Sequence, residues 1–275
     1  MKIHILTDNT PSQAHPQLIA EHGLSLYIES DGLDILCDTG VSGIYAANAR
    51  AMGIEPQRAD ILFLSHGHND HCGGTAIFLQ ESEAPIYVHK EAFAGRFHST
   101  RRGGRRSISS DRELPQLHPG RFRLLDSTTA VAQGVTAVQC TEEMCSTPLG
   151  NRFLTKEVDG REIPDDFVHE LSLAIETPKG LVIISPCSHR GAVNIMKSCC
   201  EATGCNEIYA FVGGLHFVES EETAHEVATF KREVEEHFPR CKVITGHCTC
   251  DKAKSLLAQT MPQVTFFATG DTIEL

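Results

Sequence analysis

The 275-residue chain is predicted to be an α/β protein in which two βα layers pack sheet to sheet with helices outside. Three observations carry that expectation. Short β-rich runs alternate with helical stretches from end to end. A strand-rich first half punctuated by helices is echoed by a similar second half. The hydrophobic fraction of 41% is enough for a large core. The pattern predicts a single domain over 1–275, with a basic loop excursion at about 96–118.

The elements follow in order. KIHILTD (2–8), LSLYIES (24–30) and LDILCDTG (33–40) are short β-type runs, and Asp31-Gly32 between the second and third is a hairpin signal. GIYAANARAMG (43–53) has helical spacing and stops at Gly53. ADILFLSH (59–66) reads as a buried strand, GGTAIFLQES (73–82) as a helix and APIYVHKEAF (84–93) as the start of a strand. From Arg96 to His118 the apolar period disappears, which predicts a loop; regularity returns with strands in 121–127 and 135–140. A polar stretch, 141–168, precedes two strands over 171–185 joined at Pro178-Lys179-Gly180. The last third alternates: helix 191–203, strand 207–216, helix 220–238, strand 241–247, helix 251–260 and strand 264–268.

Composition narrows the function classes. A formal charge of −12 argues against a nucleic-acid-binding surface spread over the molecule, and four Tyr with no Trp offer little for stacking single strands. No run approaches the ~18 apolar residues of a membrane span, and the first residues lack the apolar core of a signal peptide. A cytoplasmic protein without nucleic-acid or membrane partners is expected, its oligomeric state open. Eleven cysteines then read as buried thiols rather than a disulfide scaffold.

Fifteen histidines call for an explanation, and SHGHNDHCGG (65–74) supplies one. The apolar run Ile61-Leu62-Phe63-Leu64 delivers His66, His68, Asp70 and His71 into a loop, where side chains two apart can converge on one point. Imidazole and carboxylate together suit zinc first, with iron or manganese also accommodated. Gly67 allows a tight backbone course between two ligands. One or two divalent ions are expected, lowering the pKa of bound water toward neutrality.

The His66-x-His68-x-Asp70-His71 pattern behind an apolar strand resembles the HxHxDH motif of the metallo-β-lactamase fold, and Asp38-Thr39-Gly40 resembles that fold's preceding DTG element. The resemblance spans nearly the whole chain and implies a four-layer αββα sandwich of two mixed sheets with helices outside. CSHRGAVNI (187–195), GGLH (213–216) and GHCTC (246–250) look like the branch named for the dihydropterin ribofuranosyl-aminobenzene phosphate synthases, with Cys250 where that branch has glycine. The superfamily pattern implies that His66 and His68 serve one metal and Asp70 and His71 a second, with His247 as the late histidine. His189 is assigned as a further ligand. Cys187 stands roughly where a bridging aspartate is usual; Cys187, His169 and Glu170 stay open as the residue completing the set. Asp38 is expected to orient a ligand histidine or its loop. Asp70 is assigned to orient the water, and His216 to face substrate or act as an acid. Asp8 and Asn9 are placed at the same rim.

Arg101-Arg102-Gly103-Gly104-Arg105-Arg106 is the strongest positive cluster, and Arg105 and Arg106 are assigned to an anionic substrate. Asp271 of TGD reads as a turn residue, and the cysteines between 199 and 250 lack the spacing of a structural zinc site. The expected function is a metal-dependent hydrolase using a metal-activated water on a small anionic substrate, phosphorylated or a lactone. A synthase like that of the resembling branch is the alternative, and a non-catalytic metal-binding or regulatory protein a third.

Overall fold

In the computed structural model, which describes residues 1–101 and 103–275, the chain folds as two compact units. The first comprises Met1–Asp126, Phe153–Asp165 and Phe267–Leu275; the second comprises Ser127–Arg152 and Asp166–Phe266. Through Asp126 the elements are β1 (Lys2–Thr7), β2 (Ser25–Ser30), β3 (Leu33–Cys37), α1 (Ile44–Ala51), β4 (Ile61–Phe63), α2 (Asn69–Cys72), α3 (Thr75–Glu81), β5 (Ile86–His89), α4 (Lys90–Ala94), β6 (Phe97–Ser99), β7 (Arg106–Ser107), α5 (Leu114–Leu117) and β8 (Phe122–Leu125). β9 (Thr129–Ala132) and β10 (Val135–Gln139) follow in the second unit, then β11 (Leu154–Val158) and β12 (Arg161–Pro164) in the first. The second unit is completed by β13 (Leu171–Thr177), β14 (Gly180–Ser185), α6 (Ala192–Thr203), β15 (Ile208–Gly213), α7 (Thr223–His237), β16 (Lys242–Thr245), α8 (Asp251–Thr260) and β17 (Val264–Phe266). β18 (Thr272–Glu274) closes the first.

The main sheet of the first unit runs β18-β1-β2-β3-β4-β5-β8. Its β1–β2–β3 end is antiparallel, and β3, β4, β5 and β8 are parallel. The β2–β3 turn is made by Asp31 and Gly32, both at positive φ (47° and 81°), as the tight turn of a twisted hairpin requires. One face of this sheet, with Leu36, Leu62 and Val88, packs against Tyr45 and Ala49 of α1 and Phe78 of α3. The alternate residues Ile3, Ile5, Ile28, Ile35 and Phe63 are fully buried too, so these strands read as continuous apolar runs. Asn48, buried on α1, donates to the carbonyls of Leu6 and Ile19 at 2.8 Å each and accepts from Ile19 N at 3.0 Å.

A smaller sheet of the same unit runs β12-β11-β6-β7. It occupies ground that the sequence pattern assigns to loops: 96–118 contains two short strands and the helical turn α5, and the polar stretch 141–168 contains the β11–β12 hairpin. That hairpin turns at Asp159-Gly160, again with both φ positive (50° and 73°). Arg102 lies outside the described residues.

The sheet of the second unit runs β17-β16-β15-β14-β13-β10-β9. β14, β15, β16 and β17 are parallel, and each crossover carries a helix: α6, α7 and α8 in turn. Val193, Met196 and Cys199 of α6, Phe230 and Val234 of α7 and Leu257 of α8 form one core with Leu181, Ile183, Phe211 and Val243 of the sheet. Asn194 of α6 holds the loop before β11, accepting from Met144 N and Cys145 N and donating to Cys145 O and Arg190 O. No helix among the described residues is long and apolar enough to cross a membrane.

Replacing Asn48 by alanine strands the Leu6 and Ile19 backbone groups in an apolar setting. Asn48→Ala is expected to lower unfolding stability by about 1–3 kcal/mol, read from the urea midpoint, with little change in secondary structure.

Candidate metal centre

The residues of interest lie just past the C-terminal ends of parallel strands, where the chain leaves each sheet. In the first unit Cys37 of β3 is in register with Phe63 of β4, which sets the loops beginning at Asp38 and at Leu64 side by side. In the second, Ser185 of β14, Gly213 of β15 and Thr245 of β16 share one level, and from them depart the loops carrying Cys187 and His189, His216, and His247.

The first unit gathers His66, His68, His71 and Asp38, all buried, with the less buried Asp70. Asp38 is the hub. Its Oδ1 accepts from Ser65 N at 2.7 Å, and its Oδ2 takes the Ser65 hydroxyl at 2.6 Å and His71 Nδ1 at 2.7 Å. A carboxylate can only accept, so His71 carries its proton on Nδ1 and its Nε2 keeps a lone pair. Because the single Ser65 hydroxyl proton is given to Asp38, its oxygen accepts from His66 Nδ1 at 2.8 Å, and His66 Nε2 likewise keeps a lone pair. That Nε2 lies 3.1 Å from His68 Nδ1, while His68 Nε2 faces the buried Asp165 at 3.6 Å. Two nitrogens on one tetrahedral zinc, each ~2.0–2.1 Å from it, stand about 3.3 Å apart, so the pair fits a shared ion. Thr39 completes the support, with both its N–H and its hydroxyl donating to His71 O. Asp70 has His22 Nε2 at 3.6 Å and His71 Nε2 at 3.8 Å from its Oδ2. Gly67 is needed because a Cβ there would overlap the carbonyl of Ala92.

In the second unit His189 is stacked on Phe167, ring centroids 4.4 Å apart. Asn151 donates to His189 O at 2.7 Å, and that orients its Oδ1 toward His189 Nδ1 at 3.2 Å, leaving Nε2 with the lone pair. Glu170 accepts from the main chain of His189 and Arg190 at 2.8 Å each, so both its oxygens hold the loop. Burial pushes its carboxyl up, and those N–H groups offset part of the shift. His169 is buried with its ring 6.2 Å from that of Phe167. Cys187 Sγ is 3.6 Å from His216 Nδ1 and 3.5 Å from Cys248 Sγ. Burial raises the Cys248 thiol, but the Cys187 hydrogen bond and the charges of His247 and His216 outweigh it, and the net shift is well below the ordinary thiol range. His247 is buried, with Cys248 next in sequence.

Five of the seven described non-glycine residues at positive φ belong to these loops: Asp38, Phe167, Ser188, His216 and His247. Such backbone is uncommon for L-residues and gathers at functional loops.

Other expected residues have plainer places. Asp8 accepts from Thr10 N and Asn9 from Gly23 N, bracing turns of the first unit. Asp271 closes the 268–271 turn by accepting from Ala268 N. Cys199, Cys200 and Cys241 lie in the apolar core; burial drives the Cys199 thiol well up, Cys200 to about 11 and Cys241 to about 12. Arg105 pairs with Glu162 at 2.6 Å and Glu157 at 3.8 Å, and Arg106 is exposed on β7. With Lys90, Arg96 and Arg112, Arg105 lines a cavity of about 890 Å³ in the first unit. The segment on one side of that cavity is tied to the histidine loop: Asn69 N donates to Ile108 O, and the Ser110 hydroxyl to Gly67 O.

Sequence reading misses Ser65, Asp165, Asn151 and Cys248. Ser65 adjoins the histidine it orients, which is a local signal, and Cys248 adjoins His247; Asp165 and Asn151 stand in polar stretches with nothing to mark them.

Buried imidazoles with their lone pairs set by hydrogen bonds, beside carboxylates at strand ends, are those of an α/β protein able to hold metal. The chain belongs to the metallo-beta-lactamase superfamily, whose family model matches residues 19–176. It is 31% identical to a 7,8-dihydropterin-6-methyl-4-(beta-D-ribofuranosyl)-aminobenzene-5'-phosphate synthase of Methanocaldococcus jannaschii, over 94% of this chain and 91% of that protein. It resembles the crystal structure of Tm1679, described as a metal-dependent hydrolase of the beta-lactamase superfamily, with a TM-score of 0.82 and 27% identity over 100% of this chain and 99% of that one. The metallo-beta-lactamase fold protein YhfI of Bacillus subtilis shares the fold at a TM-score of 0.57 and 12% identity, over 100% and 99% of the two chains.

Asp38→Asn keeps the size of the side chain but replaces one acceptor oxygen with an NH2, losing the contacts to Ser65 and His71 as a set. Metal affinity, measured by competition with a chromophoric chelator, is expected to fall by about 10–100-fold.

Proposed function

We propose that this protein is a metal-dependent hydrolase acting on a small anionic substrate, such as a phosphoester or a lactone. The observation that carries the reading is the His66–His68 pair, its nitrogens 3.1 Å apart, with the His66 ring held from behind by Ser65 and Asp38 and Asp165 3.6 Å from the far nitrogen of His68. The proposed ligands are His66, His68, Asp70 and His71, with His189 and His247 added from the superfamily's motif order along the chain. One or two divalent ions are implied, zinc first by its taste for imidazole and carboxylate, with iron or manganese suited to the same donors. An ion so held supplies a nucleophile at neutral pH and a Lewis acid for the bond under attack.

The chain's own groups do the rest. Asp70, less buried than the histidines, is proposed both to bind metal and to orient an attacking water. His216 is assigned as a hydrogen-bond donor to the substrate. Arg106, exposed, and Arg105, on the cavity with Lys90, Arg96 and Arg112, are proposed to receive the substrate's negative charge. Eleven cysteines, an odd number that reads as buried thiols rather than a disulfide scaffold, support a reducing, cytoplasmic location.

A second reading, a synthase joining a pterin to a ribosyl-aminobenzene phosphate, is favoured by the 31% identity to a protein named for that reaction. It would place the same ions against a phosphorylated substrate.

Metal-loaded protein, assayed on a phosphodiester and a lactone chromogen, is expected to turn over at least one of them, and His68→Ala to abolish that turnover. The double variant Arg105→Ala/Arg106→Ala is expected to raise KM about tenfold, the worth of one charge-assisted hydrogen bond, with kcat little changed. Absence of hydrolysis together with tight pterin binding would overturn the hydrolase reading in favour of the synthase.

A further inference from the structure

The second unit contains, by itself, a cluster of two thiols and an imidazole to which the hydrolytic reading gives no metal. Cys187 Sγ, Cys248 Sγ and a ring nitrogen of His216 lie within 4.8 Å of one another, on loops leaving β14, β16 and β15. We propose that these three side chains form a thiolate-rich site for a borderline-soft divalent cation of the zinc class.

The distances are those of ligands around one ion. Zinc–sulfur and zinc–nitrogen bonds of ~2.3 Å and ~2.0–2.1 Å at tetrahedral angles put two sulfurs about 3.8 Å apart and a sulfur and a nitrogen about 3.6 Å apart. The structure has 3.5 Å between the sulfurs and 3.6 Å between Cys187 Sγ and His216 Nδ1. Cation entry therefore needs shifts of only a few tenths of an ångström, with both thiols losing their protons to solvent.

The surroundings are built around the sulfur of Cys248. The His216 backbone N–H points at it from 3.2 Å, a donor of the kind that stabilises a coordinated thiolate. A Cβ on Gly214 would overlap that sulfur and stand 2.7 Å from Pro186 O, so the second glycine of GGLH leaves room for it. His216 adopts φ 52°, and the Leu215 N–H is held by the Thr249 hydroxyl at 3.1 Å; together these aim one loop at the other. Three protein donors leave a fourth tetrahedral position open to water or an anionic ligand. Coordination through Nδ1 leaves His216 Nε2–H free to donate, which agrees with its assigned role toward substrate.

The test is titration of the reduced, metal-free full-length chain with cobalt(II), followed by its thiolate-to-cobalt charge-transfer absorption in the near ultraviolet. The wild type is expected to develop this band, Cys187→Ser/Cys248→Ser to lose at least nine-tenths of it together with about one equivalent of bound cobalt, and Cys205→Ser to retain it. His68→Ala, which disrupts the histidine pair of the first unit, is expected to leave the band unchanged. Cobalt bound with only the weak visible bands of imidazole and carboxylate would overturn the thiolate site and leave the histidine centre standing. A band that survives the double cysteine variant, or is lost in His68→Ala, would also overturn it. Failure to bind cobalt at all would overturn both assignments. Should the double variant fold poorly by circular dichroism, Gly214→Val, which crowds the sulfur without removing a donor, is expected to weaken the band at least tenfold.

Discussion

Everything described here depends on the register of parallel strands. Because Cys37 pairs with Phe63, the carboxylate of Asp38 starts level with the loop that holds Ser65 and His66, and reaches that loop without an intervening turn. A shift of one residue would turn Asp38 to the other face of the sheet and leave a buried charge unpaired. The same holds in the second unit, where Ser185, Gly213 and Thr245 end at one level and three loops begin together. Parallel strands need crossovers, and the helices that supply them also cover one face of each sheet. The packing that stabilises each unit therefore also sets where its chemistry-bearing loops begin.

The Asp38–Ser65–His66 chain shows how little freedom the first unit leaves its imidazoles. One carboxylate dictates the tautomer of His71 directly and that of His66 through a single hydroxyl. Asp165 does the complementary work at His68, facing the nitrogen opposite the one near His66. Two rings, His71 and His66, are thus oriented by one buried carboxylate. Buried carboxylates near imidazoles also favour positive charge locally, although the chain as a whole is acidic.

Much of this was legible in the sequence, and what was not has identifiable causes. The histidine loop is a local pattern behind an apolar strand, and the α/β alternation survives because the long elements carry strong periods. Strand ends are overrun: 207–216 reads as one strand although β15 stops at Gly213, since only the paired glycines mark the departure from the sheet. The β11–β12 hairpin is hidden in a polar stretch, because all four residues of β12 are exposed and no apolar alternation appears. Its Asp159-Gly160 turn is nonetheless the same signal as Asp31-Gly32. β6 and β7 are too short, at three and two residues, to carry a period. Asp165 and Asn151 orient histidines distant in sequence, and no local pattern encodes that. The donors of the candidate centre are short-range chemistry on well-patterned strands; its supports are tertiary.

The left-handed backbone at Asp38, Ser188, His216 and His247 has a consequence for how such a chain changes over time. Each such residue costs of the order of 1–3 kcal/mol relative to an unstrained position, and glycine would remove most of that cost. At these sites selection for thermal stability and selection for donors pull in opposite directions. A lineage in which these side chains were no longer needed would be expected to drift toward glycine there first, gaining stability as it loses them. The residues occupying those four positions in a given descendant therefore act as a record of whether the side chains of these loops are still under selection.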